Sequence, residues 1–306
     1  MVVNVSTKIR NSRSPTPMQR SERITFALFS LPGFILYSVF FIFPVLLGFY
    51  YSLTNWNGIS RNMTYIEFGN YVNIFNDSRF LRALSFNARY VLMLSVSIVV
   101  LGIILALLLN SKVRGITFYR ASFFFPAVLS MITVGLIFNQ IYYRALPPLG
   151  SALGVEALSK NVLSSPQLAP LGILFVNVWQ GVAMPTLLFL AGMQTVPVEL
   201  YEAAAIDGAS YWRRFFHITL TFLRPVLTVV LVLTVKGGIT VFDYVKSLTD
   251  GGPGGATESV SLLIYSHAFV ESRFSYAVAE AVVLGFIIAG ISAVQIVVST
   301  CRKDNI

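Results

Sequence analysis

Cysteine occurs once, at Cys301, in a chain of 306 residues. That excludes an internal disulfide and any metal site built on several thiolates. Histidine occurs twice, at His217 and His267, far apart and outside any ligand-spaced cluster. Charge is scarce as well: 11% of residues are Asp, Glu, Lys or Arg, against roughly 25% in a soluble domain. No Gly-x4-Gly-Lys-Ser/Thr phosphate loop is present, and no Ser/His/Asp or Cys/His set is arranged for nucleophilic catalysis. The polar stretches are too short to fold a separate enzyme domain. The chain is therefore not expected to be an enzyme. If it transports actively, the energy must come from a partner chain or an ion gradient.

What is abundant is apolar sequence: 56% of residues are hydrophobic and the mean hydropathy is +0.73. Together these define a membrane protein. The net charge of +9 is read as flanking Lys and Arg that anchor spans. No basic stripe with interleaved aromatics stands on a soluble domain, so nucleic acid is excluded as a partner and membrane lipid takes its place.

The fold expected is an all-α integral membrane protein with six transmembrane helices. Residues 1–23 are a polar, basic segment. The spans fall near 24–53, 88–109, 117–143, 169–193, 222–245 and 276–300, so that 24–300 forms one membrane domain, followed by the short tail 301–306. The first apolar run is too long for the 7–15-residue core of a signal peptide, so it is read as retained. Pro32 and Pro44 are expected to kink it, and Pro126 lies inside the third span. Between spans, 55–82 mixes charge with Phe68, Tyr71, Phe75 and Phe80, as an interfacial belt does. Residues 146–167 and 246–275 read as loops. The N-terminal segment, the 110–120 turn, residues 196–220 and the tail hold twelve Lys and Arg, against eight on the opposite side. The basic side is expected to be cytoplasmic, with both termini there, in the cytoplasmic membrane of the cell.

The stretch 196–220 is a charged insert between two long apolar segments that hold almost no charge. It carries Glu199, Glu202, Asp207, Arg213, Arg214 and His217. Pro197 suits a first helical turn and Glu199 and Glu202 suit its positive end. Asp207-Gly208 signals a turn, and a second helix from about Ser210 leads into the fifth span. The small side chains Ala203, Ala204, Ala205 and Ala209, with Gly208, offer close approach. A docking element is one reading; an ordinary amphipathic connecting helix is the other.

Here the sequence resembles a known family. Glu202-Ala-Ala-x-x-Asp-Gly-Ala209, followed by Phe215, Ile218, Leu220, Leu223 and Pro225, resembles the EAA loop of binding-protein-dependent ATP-binding-cassette importers. Thr221 departs from it, since the family usually has proline there. A second motif, Leu248-Thr-Asp-Gly-Gly-Pro-Gly-Gly-Ala-Thr257, with Tyr265, Phe269 and Tyr276 after it, is similar to a loop of maltose and glycerol-phosphate type carbohydrate permeases, in the first of their two permease subunits. Asp250 stands where glycine is common.

The resemblance implies a type I importer permease fold and an alternating-access importer of a sugar, with a di- or oligosaccharide favoured. Glycerol phosphate or a polyol is the alternative cargo. Implied partners are a second permease subunit, two ABC ATPase subunits carrying ATP and magnesium, an extracellular sugar-binding protein and the sugar. No cofactor or metal is implied for this chain itself. Glu202, Ala203, Ala204, Asp207, Gly208, Ala209 and Phe215 are carried over as the ATPase-coupling residues. Thr249, Gly251, Gly252 and Pro253 are carried over as a loop facing the binding protein.

The substrate path is read from the residues. Lys236, Asp243 and Glu280 are charges in or near spans, where charge is expensive and faces the interior. Asn177, Trp179 and Gln180 cluster in span four, Tyr244 follows Asp243, and Asn139 and Gln140 end span three. Aromatic faces and amides suit sugars. Equally, each could serve a helix–helix hydrogen bond, and Glu280 could pair with Lys236. A gradient-driven transporter or channel subunit with Glu280 and Lys236 as its ion site is the rival from another class.

Overall fold

The computed structural model describes residues 17–111 and 115–301. The basic stretch 1–16, part of the 110–115 turn and the tail 302–306 lie outside the described residues, and with them most of the expected terminal segments.

The chain divides into two units, residues 1–51 and 52–306. The first is a helical rod: α1 (Pro17–Tyr37), a π-helical turn at Ser38–Ile42 and α2 (Phe43–Ser52). The widened turn lies just before Pro44, which has no N–H to offer a helix. Large apolar side chains such as Phe29, Phe40 and Leu46 are exposed along it, as a lipid-facing span requires.

The second unit is built around α4 (Ser78–Leu109). Its buried residues are Phe80, Ala83, Phe86, Asn87, Tyr90, Leu94, Ile98, Gly102, Ala106 and Leu109. They recur every three or four positions, the spacing of one helical face. Against this face pack α8 (Ala169–Gly181), α9 (Ala183–Gln194) and α12 (Leu220–Ile239). At Gly192 a Cβ would stand 2.8 Å from Val226 Cγ2, so glycine lets α9 and α12 approach.

Before α4, the short α3 (Gly69–Asn76) is held by Asn70, whose Nδ2 donates to the carbonyls of Ser52 and Thr54. After α4 come α5 (Ile116–Phe124), a 3-10 turn at Phe125–Val128, α6 (Met131–Gln140), a π-helical turn at Ile141–Ala145 and α7 (Leu146–Ala152).

Among the described residues, four helices are long and apolar enough to cross a membrane: 28–52, 78–109, 211–239 and 274–297. Two bent pairs raise the number to six if each counts as one span. The count agrees with expectation; the shapes and limits do not.

The third span is not one rod. It turns by 98° between Val128 and Met131. Pro126 cannot donate to the helix ladder, and Leu129 and Ser130 are extended. The freed carbonyl of Leu129 takes a hydrogen bond from Gln180 Nε2 at 2.8 Å. The fourth span bends by 47° between α8 and α9, where Pro185 removes the N–H that would have bridged the break.

Span two starts at Ser78 rather than near residue 88, because Asp77 caps it by accepting from the Arg79 N–H. Span five stops at Ile239 rather than 245. The stretch 146–167 is partly helical rather than wholly loop. So is 246–275, which holds the end of α13 (Asp243–Leu248), then α14 (Val260–Tyr265) and a π-helical turn at Ser266–Val270. The final helix, α15 (Phe274–Cys301), packs on α12 and α14.

Candidate functional site

A cavity of about 450 Å³ opens among α4, α8, α9, α12 and the segment entering α13. Its wall is mainly apolar, with Leu94, Ile98, Met184, Leu188, Val230 and Leu233 among its residues. Polar groups are few: Asn177, Thr234, Thr240, Asp243 and Tyr244. Such a volume, with a few convergent polar groups in an apolar wall, is typical of a small-molecule site.

The segment is shaped by the way α12 ends. Its last turn breaks after Ile239, and Asn87 on α4 satisfies the loose carbonyls: Nδ2 donates to Gly238 and Ile239 at 3.1 and 2.8 Å. The same side chain accepts from the Val260 N–H at 2.8 Å. One buried amide thus holds the end of α12 and the start of α14 against α4. Residues 240–244 are left to line the cavity as a short non-helical link and the first turn of α13.

Of the residues expected on the substrate path, Asn177, Asp243 and Tyr244 line this cavity. The Asp243 carboxylate makes no hydrogen bond or ion pair among the described residues. The Tyr244 hydroxyl donates to Gln180 Oε1 at 2.8 Å, and the Gln180 amide goes on to Leu129. Asn177 Nδ2 donates to the Tyr90 hydroxyl at 2.8 Å.

The others lie elsewhere. Gln180 is buried behind the wall with both amide atoms engaged. Trp179 is partly exposed and packs on Phe138, with ring centroids 5.2 Å apart. Asn139 donates to the Leu248 carbonyl. Lys236 is exposed and does not line the cavity, although Leu233, Thr234 and Gly237 around it do. The pairing of Glu280 with Lys236 does not occur: Glu280 is fully buried and its Oε2 lies 2.9 Å from His267 Nδ1.

Sequence reading missed Tyr90 and His267. Tyr90 was findable, since it sits on the regular buried face of α4. His267 was not, because its partner stands on another helix with no local spacing to betray it.

The 196–220 stretch forms α10 (Val198–Ile206), a tight turn and α11 (Tyr211–Arg214), then a π-helical turn at Phe215–Thr219 that runs into α12. Gly208 takes a left-handed conformation, φ +69°, which a side chain adopts only with strain. Its N–H and that of Ala209 cap α10 through the Ala205 and Ala204 carbonyls. Ser210 Oγ then caps α11. The Tyr201 and Thr219 hydroxyls meet at 2.8 Å, tying α10 to the π-helical turn.

None of α10 is buried. Glu202, Ala203, Asp207 and Gly208 are exposed, and Ala204, Ala209 and Phe215 half-buried. Ile206 is 88% exposed. Open space surrounds Gly208, with nothing within 4 Å of a Cβ built there.

The loop after α13 closes on itself. The Thr249 and Thr257 hydroxyls are 2.8 Å apart, and Thr257 Oγ1 donates to the Gly252 carbonyl at 2.6 Å. Gly251 is buried, and Gly252 and Pro253 are half-buried. Lys246 pairs with Asp250 at 2.7 Å, which raises the lysine pKa.

Behind this loop, Arg79 ties to Glu258 and Glu271, each at 2.6 Å. Burial pushes the Glu271 carboxyl upward, but the Arg79 bond and the charges of His267, Arg79 and Arg273 outweigh it and leave it lowered. Asp77 follows the same pattern. Burial raises it, while hydrogen bonds from the Arg79 N–H, the Tyr276 hydroxyl and the Phe80 N–H hold it below its ordinary value.

An all-helical chain with four to six membrane-crossing helices, an apolar-walled cavity and an exposed capped helix beyond it has the build of a polytopic membrane permease. Comparison with known proteins gives the family. The chain belongs to the binding-protein-dependent transport system inner membrane component family, whose profile matches residues 98–302; that range spans the cavity elements from Ile98 onward and the α10 hairpin.

The chain is 44% identical over 271 residues to the multiple sugar-binding transport system permease protein MsmF of Streptococcus mutans serotype c, covering 89% of this chain and 93% of that protein. It is 38% identical over 250 residues to the trehalose/maltose transport system permease protein MalF of Thermococcus litoralis, covering 78% and 82%. Among solved structures, a chain of a bacterial ABC transporter involved in the import of the acidic polysaccharide alginate superposes with a TM-score of 0.79 at 19% identity, covering 93% of this chain and 99% of that one. That likeness is one of fold.

Proposed function

We propose that the chain is the first of two permease subunits in an ATP-driven importer, and that its cargo is a neutral di- or oligosaccharide handed over by an extracellular binding protein. The observation that carries this reading is the continuity of α12. The helix starts at the exposed α10–α11 hairpin, and its far half supplies Val230, Leu233, Thr234 and Gly237 to the cavity wall. A stroke delivered to α10 by a partner ATPase reaches the cargo site through one element.

In this reading the basic side and both termini face the cytoplasm. Glu202 and Asp207 offer charge to basic groups on the ATPase, and Ala203, Ala204, Gly208 and Ala209 let its surface approach closely. Phe215 packs with Trp212 and Phe216 beneath them. ATP and magnesium belong to the ATPase. The closed loop bearing Thr249, Gly251, Gly252 and Pro253 faces the binding protein.

The names of the relatives, with multiple sugars, trehalose and maltose, and diacetylchitobiose among them, support a carbohydrate cargo. A structural neighbour solved with an alginate pentasaccharide-bound periplasmic protein supports delivery by a binding protein. The cavity narrows the class. Its lining has no Lys or Arg and one carboxylate, Asp243, a poor setting for a phosphate or uronate and a good one for hydroxyls. This weighs against glycerol phosphate.

The test is uptake by proteoliposomes holding the assembled complex, with labelled neutral disaccharides and an acidic alginate oligosaccharide offered in turn. Saturable, ATP-dependent uptake of a neutral sugar in preference to the acidic one is expected. Uptake driven by an ion gradient without ATP would overturn the reading in favour of a secondary transporter.

A further inference from the structure

Asp77, His267 and Glu280 stand together where α4 begins, where the π-helical turn after α14 begins and where α15 completes its second turn. One ligand atom from each lies within 4.8 Å of the other two. His267 and Glu280 are buried. The second Glu280 oxygen, Oε1, is also buried and has no hydrogen-bond partner among the described residues. A buried carboxylate oxygen without a donor is costly and calls for an occupant.

The nearby cations do not supply one. Arg79 is engaged by Glu258 and Glu271. Arg273 lies over the Tyr276 ring, 4.1 Å from its centroid. Lys246 pairs with Asp250.

We propose that Asp77, His267 and Glu280 bind a single divalent transition-metal cation of the zinc class. One imidazole nitrogen and two carboxylate oxygens, with water completing the shell, suit zinc; an imidazole ligand disfavours calcium and magnesium. Ligands about 2.1 Å from zinc stand roughly 3.4 Å apart in a tetrahedron, so binding draws the widest pair inward by a little over an ångström.

The outer shell is already in place. Glu271 Oε2 is 3.7 Å from His267 Nε2, on the side where metal-bound imidazoles take a carboxylate partner. The Tyr276 hydroxyl and the Arg79 N–H hold the Asp77 carboxylate. Three separate segments would then be joined at one point, at the end of the molecule away from α10. The site is independent of the transport reading.

The experiment uses the full-length protein in its assembled complex, purified through a streptavidin-binding tag so that no polyhistidine competes, and stripped with EDTA. Equilibrium dialysis against zinc alone is expected to load about one more equivalent per copy of this chain than in the D77N/H267Q/E280Q variant. Asp77→Asn alone keeps the helix cap and is expected to weaken zinc binding at least tenfold while leaving elution and subunit composition unchanged.

Cobalt added to the stripped wild type gives a readout free of mutation, with d–d bands of a four- or five-coordinate imidazole site expected. Zinc loading no higher than in the triple variant, or a cobalt spectrum of the six-coordinate aquo ion only, overturns the proposal.

Discussion

Residues 240–275 and 196–220 both interrupt apolar helices, and they satisfy their polar groups in opposite ways. The first is folded by the rest of the chain. Asn87 reaches into it from α4, Ser259 donates back to the Val241 carbonyl, Arg79 bridges two of its carboxylates, and Thr257 closes its glycine loop. The second holds its form almost alone. Backbone caps at Gly208 and Ser210 and the Tyr201–Thr219 hydroxyl pair set its shape, while no residue of α10 is buried. One end is folded by side chains from elsewhere in the chain; the face of the other is left for contact outside it.

The sharpest way to break this contrast is at Gly208. Gly208→Asp places a side chain at φ +69°, at a local cost of about 1–2 kcal/mol, and puts bulk and charge on the exposed face. Co-purification with the ATPase and ATP-driven uptake are expected to fall by more than tenfold, while the melting temperature of the isolated chain drops only slightly. A normal complex with normal uptake would show that this face does not dock.

Next comes Asn87→Ala, which strips three buried hydrogen bonds. A loss of about 3 kcal/mol is expected, read as a clear fall in melting temperature in detergent. A fall no larger than that caused by Gly208→Asp would erase the difference between the two ends.

Arg79→Ala is smaller. The arginine side chain is 36% exposed, so solvent screening holds the loss to about 1 kcal/mol. It has a pH signature. Glu271 has a lowered pKa in the folded chain, in part through the Arg79 side chain, so its contribution is present above the unfolded value near 4 and lost as pH falls through the folded one. The melting-temperature gap between wild type and Arg79→Ala is therefore expected to close as pH drops from 7 toward 3. A gap independent of pH would mean that the arginine acts by packing alone.

Last, Lys246→Ala removes a surface pair with Asp250. It should cost no more than about 0.5 kcal/mol by the same melting assay. A larger effect would mean that the loop depends on its rim as well as on Thr249 and Thr257.

Hydropathy located the helices because burial in lipid demands long apolar runs, and the runs are there. It could not locate the breaks. The turn after Pro126 depends on Gln180, on another helix, whose Nε2 donates to the Leu129 carbonyl. The early stop of α12 depends on Asn87, more than a hundred residues away in the chain. The hairpin at 196–220 was legible, because a first-turn proline, a Gly208 turn and a Ser210 cap are local signals. The cavity was half legible. Asn177, Asp243 and Tyr244 stood out as polar groups in apolar surroundings, but so did Gln180, Lys236 and Glu280, and polarity alone does not reveal which way a side chain faces.

The grip of Asn87 on Gly238 and Ile239 has a mechanical meaning. Helix α12 is 20 residues long, roughly 30 Å at 1.5 Å per residue. Pinned to α4 at its far end, it cannot slide along its neighbour without surrendering two buried hydrogen bonds. On the proposed reading, a push received near Leu220 is delivered as a swing about the pin, with the greatest travel at the α10 end and the least beside Thr240. The helix is a lever whose fulcrum is an amide, and the cavity sits on its short arm, where a broad movement outside becomes a small change of width around the cargo.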